Sequence, residues 1–164
     1  MKMELMPLAW VSAFTALLWM PYVLNRMFVG GIDATVGYPT VPAPLSPWAQ
    51  RLKAAHANAI ENLTVFAALV LTAAVSGVNA PAIEAAGWLY LWSRVLHAVI
   101  YAMGISWLRT IAFTGGFVAQ MIVAWQLLTA VAPAAVALHV SPVMQSAVAQ
   151  SALHSQPTLP RLWH

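Results

Sequence analysis

Residues 51–75 read RLKAAHANAIENLTVFAALVLTAAV. The second half is apolar enough for a bilayer interior, while the first half carries Arg51, Lys53, His56, Asn58, Glu61 and Asn62 at helical intervals. Ionisable groups are costly in lipid, so they are normally found facing a bundle interior or a wet cavity. The stretch therefore reads as a transmembrane helix with a polar face built into it. A second stripe, Tyr90, Arg94, His97 and Tyr101, has spacings of 4, 3 and 4 and occupies one side of another helix.

The composition agrees with this reading. Of 164 residues, 62% are hydrophobic and 7% charged, where a soluble domain carries about 25% charged residues. Seven basic residues against four acidic ones are too scattered for a nucleic-acid surface, which needs a clustered basic face. The chain has no cysteine, which excludes disulfides, thiolate metal sites and a cysteine nucleophile. His139, His154 and His164 have no metal-ligand spacing, so no metal is expected.

Four apolar stretches, roughly 5–25, 50–76, 82–104 and 107–132, are long enough to span a bilayer. The first is too long for a signal-peptide core and lacks a small-x-small cleavage site, so it is expected to be retained. The fold class is thus an all-α integral membrane protein, a bundle of four transmembrane helices within a domain at 1–133. The connection at 26–48 contains Pro39, Pro42, Pro44 and Pro47 and is expected to be an extended strap. A tail at 134–164, rich in Ser, Gln, Ala and Pro, is expected to be flexible, with a short helix near 142–153.

Arg26, Arg51, Lys53 and Arg109 flank the first and third connections, whereas the hairpin at 76–82 has no positive charge. By the positive-inside rule those two connections face the cytoplasm and both termini lie on the opposite side; Lys2 and Arg161 oppose this. Helix 2, at about 40 Å, exceeds the bilayer core. Helices 2, 3 and 4 then bring polar side chains to one depth near the cytoplasmic surface. At 100° per residue, Arg51, Asn58 and Asn62 fall within about 20° of one direction, with Ala54 and Glu61 to one side and His56 nearly opposite.

Two readings of these residues compete. In one, a Glu61–Arg94 pair with Asn58 and Asn62 cements helix 2 to helix 3, as interhelical polar contacts do in membranes. In the other, the excess of polar groups forms a pocket for a small, charged, peptide-like ligand. Glu61 would take an ammonium, Asn58 an amide, the arginines a carboxylate or thiolate, and the tyrosines would supply walls and hydroxyls. His56 reads as a packing residue, and His97 fits packing and ligand contact equally. A solute channel is disfavoured because no polar stripe crosses the whole membrane.

Three segments resemble the MAPEG family, the membrane-associated proteins in eicosanoid and glutathione metabolism. They are the run from Arg51 to Phe66 with His56, Asn58, Glu61 and Asn62, the run Arg94-Val-Leu-His97-Ala-Val-Ile-Tyr101, and Leu108-Arg109 opening the fourth helix. The resemblance covers about residues 5–132. It implies a homotrimer with glutathione sites between subunits, and a membrane-bound glutathione (or related thiol) transferase or peroxidase acting on hydrophobic electrophiles. Glutathione would be the co-substrate, with membrane lipids and a hydrophobic small molecule as further partners. Asn58, Glu61, Arg94 and Tyr101 match glutathione contacts, and Arg109 matches the arginine that stabilises the thiolate. A thiol has a pKa of about 8.5, and an adjacent guanidinium favours its nucleophilic anion. His97 lies on the same stripe and is counted with the contacts.

Two positions depart from the family pattern. Ala54 stands where an arginine is common, leaving Arg51 or Lys53 to substitute, and Phe113 stands where an aromatic hydroxyl is common. The family also includes a non-enzymatic type, the lipoxygenase-activating protein, so a catalytically silent lipid-binding or scaffold protein is the alternative. The topology is testable by reporter fusion. A reporter after Pro44 is expected to be active in the cytoplasm and one after Asn79 on the opposite side; the reverse pattern would invert the orientation.

Overall fold

The computed structural model describes residues 5–42 and 45–154. Every regular element among them is an α-helix. In chain order these are α1 (Leu5–Leu17), α2 (Met20–Gly30), α3 (Ile32–Val36), α4 (Pro47–Val75), α5 (Pro81–Met103) and α6 (Ser106–His154). Among the described residues three segments are long and apolar enough to cross a membrane: Leu5–Gly30, Pro47–Val75 and Ser106–Ala130. α5 is not among them, because Tyr90, Arg94 and His97 dilute its apolar character.

The helix ends follow from local chemistry. Pro47 and Pro81 open α4 and α5, where the missing N–H costs nothing and the fixed φ suits the first turn. Both helices close on glycine. Gly77 and Gly104 have φ of +70° and +83°, the left-handed conformation that a Cβ disfavours. Val78 N donates to Ala73 O at 3.0 Å and Ile105 N to Ile100 O at 3.2 Å, which satisfies the last carbonyls of each helix.

Two expectations for the N-terminal part change. The first span is not one helix over 5–25; it breaks at Leu18-Trp19 and resumes to Gly30. Pro21 has no N–H for the Leu17 carbonyl and its ring crowds that oxygen, so the ladder is interrupted there. The strap expected over 26–48 is also shorter. α2 and α3 occupy it as far as Val36, since the prolines begin only at Pro39. Asn25 fastens the far side of the strap. Its amide donates to Ser46 Oγ at 3.0 Å, and its Oδ1 accepts the Ser46 N–H at 2.9 Å.

The chain divides into two units, Met1–Leu127 and Leu128–His164. In the second, helical backbone continues to His154 instead of ending near 132. Ala130, Ala132, Ala134, Ala135 and Ala137 surround Pro133, and alanine has the highest helix propensity. The end of the expected tail, 155–164, lies outside the described residues.

In the first unit the core has two clusters. The larger joins Val11 of α1, Phe66 and Val70 of α4, Ile83 and Tyr90 of α5, and Ala119 and Val123 of α6. The Phe66 and Tyr90 rings stack with centroids 3.8 Å apart and planes 10° from parallel. The smaller sets Ala55 and Ala59 of α4 against Ala98 of α5, with Leu18 and Leu52 beside them. Small residues let helix backbones approach closely without a gap, as membrane helix pairs require.

α6 closes on α5 through two glycines. A Cβ on Gly115 would stand 2.7 Å from Ser93 Oγ, and one on Gly116 would collide with the Arg94 guanidinium. Gly116→Ala is expected to cost about 1–3 kcal/mol by overpacking. The loss would appear as a lower melting temperature in detergent; an unchanged one would mean that α6 stands off Arg94 without penalty.

Candidate functional site

Arg94 is the largest fully buried side chain, with 2% of its surface exposed. Its terminal nitrogens donate to Asn58 Oδ1 at 3.3 Å and Asn62 Oδ1 at 3.4 Å. Its guanidinium carbon lies 5.0 Å from the Tyr90 ring centroid and 5.2 Å from that of Phe113. Asn62 in turn donates to the Asn58 carbonyl at 2.9 Å, and Gln120 of α6 donates to the Asn62 carbonyl at 2.9 Å. The charge is thereby shared among neutral acceptors and two aromatic faces, and α4, α5 and α6 are tied together around it.

The expected Glu61–Arg94 pair is not formed. Glu61 is exposed and has no hydrogen bond or ion pair among the described residues. The reason is angular: Asn58 and Asn62 are one turn apart on the face toward α5, while Glu61 is rotated about 100° from Asn62.

Beside this network is a cavity of about 320 Å³ lined by Ala54 and Asn58 of α4, His97 and Tyr101 of α5, and Arg109, Thr110 and Phe113 of α6. The Arg109 guanidinium carbon stands 4.5 Å from the centre of the Tyr101 ring. His97 meets Tyr101 edge-on at 5.5 Å and Phe113 at 6.0 Å, so the two rings and the imidazole form a continuous aromatic wall. Asn58 faces both ways, bonded to Arg94 and lining the cavity.

The model of the MAPEG family matches residues 8–129. The chain belongs to the MAPEG family. Compared with curated proteins one by one, it matches none. MAPEG membership and the apolar helices together make this an integral membrane protein.

The structure treats the candidate residues unequally. Asn58, His97, Tyr101 and Arg109 surround one cavity, and this MAPEG chain adds Thr110, which the sequence reading passed over. Thr110 follows Arg109 and precedes Phe113 by three positions, so helical spacing from Phe113 was the signal that could have found it. Arg94, Glu61 and Arg51 do not line that cavity. Arg94 is enclosed between helices, Glu61 points outward, and Arg51 bonds the end of α5 through Nε to the Ala102 carbonyl at 2.9 Å. The two departures, Ala54 and Phe113, both face the cavity, so those walls are a methyl and a ring without a hydroxyl. His56 is a packing residue, 3.0 Å from the Tyr22 hydroxyl through Nδ1. Among the described residues no three His, Asp or Glu side chains gather as a metal site.

Arg94 and Arg109 should separate in stability measurements. Arg94→Ala leaves two partly buried amide oxygens without their donor and is expected to cost roughly 1–3 kcal/mol. Arg109→Ala, at a cavity rim, should stay within about 0.5 kcal/mol. Equal melting temperatures for the parent and the Arg94 variant would mean that the polar network does not hold the helices.

Proposed function

We propose that this MAPEG protein is a membrane-bound thiol transferase. It would join glutathione, or a related low-molecular-weight thiol, to lipophilic electrophiles or reduce lipophilic peroxides with it. The observation that carries the reading is the placement of one cation, Arg109, against Tyr101 in a cavity that also offers the Asn58 amide and the His97 ring. In the conjugation, Arg109 stabilises the thiolate, the sulfur adds to the electrophilic carbon of an activated double bond, and the C–S bond forms as the C=C π electrons move to the neighbouring carbon. The thiol proton passes to solvent, and solvent reprotonates the product. Guanidinium stabilisation of a developing or resting anion in a site shielded from water is a large electrostatic effect.

The same reading includes α5 as a fourth membrane span and a homotrimer with the site toward the cytoplasm and both termini opposite. Glu61 supports the assembly. An exposed carboxylate on a helix within the membrane calls for a partner, and a neighbouring subunit with the ammonium of glutathione between them would supply one. Arg94 then acts as a positioning residue, holding Asn58 toward the ligand. The second reading, a catalytically silent lipid-binding or scaffold protein, is favoured by the apolar Ala54 and Phe113 walls.

Calorimetric titration of glutathione into the detergent-purified protein, with ultraviolet absorbance of the thiolate, tests the choice. Saturable binding with a thiolate signal is expected, and Arg109→Ala should lower turnover roughly 10²-fold or more. Binding without turnover in any electrophile screen would move the assignment to the silent protein, and no binding at millimolar glutathione would move it to another thiol or to the silent protein.

A further inference from the structure

A second cavity, of about 530 Å³, lies where the α1–α2 break meets α4 and α5, walled by Phe14, Leu18, Leu52 and Ala98 among others. α5 divides it from the first: His97 and Tyr101 line one, Ala98 and Ala102 the other. Trp48 and Arg51 come from the first two turns of α4 and Ala102 from the last turn of α5. The polar end of the groove therefore lies where these helices end, and Leu18, Leu52 and Ala98 carry apolar wall further in. Its size falls within the usual ligand range of roughly 300–1,000 Å³.

Arg51 is the feature that selects an occupant. Its Nε is committed to the Ala102 carbonyl at 2.9 Å, which pins the guanidinium over the end of α5. Gly104 makes room for it: a Cβ there would stand 3.2 Å from the guanidinium carbon. The terminal nitrogens of Arg51 have no acceptor, and no carboxylate pairs with it, among the described residues. A fixed, uncompensated cation at the mouth of an otherwise apolar groove is complementary to an anion with a hydrocarbon tail. Trp48, 41% exposed at the same level, is the residue type that anchors at the headgroup layer.

We propose that this groove binds an anionic phospholipid, with its phosphate on the terminal nitrogens of Arg51 and one acyl chain along the apolar walls that α1, α4 and α5 present. A free anion would leave the apolar walls unfilled. A peptide such as glutathione would find one polar group and no acceptor for its ammonium or amides. The assignment does not depend on thiol chemistry at the Arg109 cavity.

Native mass spectrometry of the full chain in an uncharged detergent tests it, with dioleoyl-phosphatidylglycerol and dioleoyl-phosphatidylcholine as competing probes. The parent should prefer the anionic lipid about fivefold, the worth of one basic residue near an anionic surface. Arg51→Gln should erase that preference by lowering phosphatidylglycerol binding more than phosphatidylcholine binding. Ala102→Phe should reduce binding of both lipids by filling the groove, with circular dichroism and melting as checks of the fold. Inorganic phosphate should not displace the bound lipid. Equal binding of the two lipids by the parent, or a preference that survives Arg51→Gln, would overturn the proposal. So would displacement by inorganic phosphate. A change of oligomeric mass in Arg51→Gln with lipid preference intact would overturn it too, and would assign the groove to a second copy of the chain.

Discussion

The arrangement of this bundle depends on one buried guanidinium. Arg94 sits where α4, α5 and α6 meet, and its charge is distributed over the Asn58 and Asn62 oxygens and the Tyr90 and Phe113 rings. Burying a cation without a carboxylate requires polar or aromatic neighbours around it, and even here the Arg94 Nε has no hydrogen-bond partner among the described residues. That requirement constrains its neighbours. α6 must present Gly116, since any side chain there would occupy the space of the guanidinium. α4 must present two amides one turn apart, and Gln120 must secure the Asn62 backbone carbonyl. The cost of misplacing any member fixes the rotation of all three helices.

That fixed rotation positions the chemistry. With α5 locked through Arg94, the next turn carries His97 and Tyr101 into a cavity, and α6 delivers Arg109 to the face of Tyr101. Asn58 belongs to both the network and the cavity wall, so the structural arginine and the proposed ligand site share a side chain. One residue along α5, Ala98 and Ala102 are rotated about 100° from His97 and Tyr101 and border the Arg51 groove. Three arginines that look alike in sequence thus have three environments: one enclosed, one at a polar cavity, one at the end of an apolar groove.

The apolar helices at 50–76 and 82–104 and the stripe along α5 were legible in the sequence because each rests on local chemistry, whereas Pro47, read as part of the strap, opens α4. Hydrophobic length, proline at a first turn and glycine in a left-handed turn act within a few residues. The break at Leu18-Trp19 was also local, since Pro21 removes a donor from Leu17, but a long apolar run concealed it. The extent of α2 and α3 was missed for the opposite reason: prolines at 39–47 were allowed to speak for residues that precede them.

Membership of a membrane-helix family, the polar face of α4 and the polar stripe of α5 were determined by sequence alone, because spacing on a helix translates directly into a face. Tertiary structure decided which polar groups meet. Glu61 and Arg94 carry opposite charges and are near in the layout, yet the roughly 100° between Glu61 and Asn62 sends the carboxylate outward and leaves the arginine to the amides. Pairing across helices depends on rotation and separation set by packing, with Ala55, Ala59 and Ala98 at one contact and Gly115 and Gly116 at the other. No pattern within a single helix contains that information.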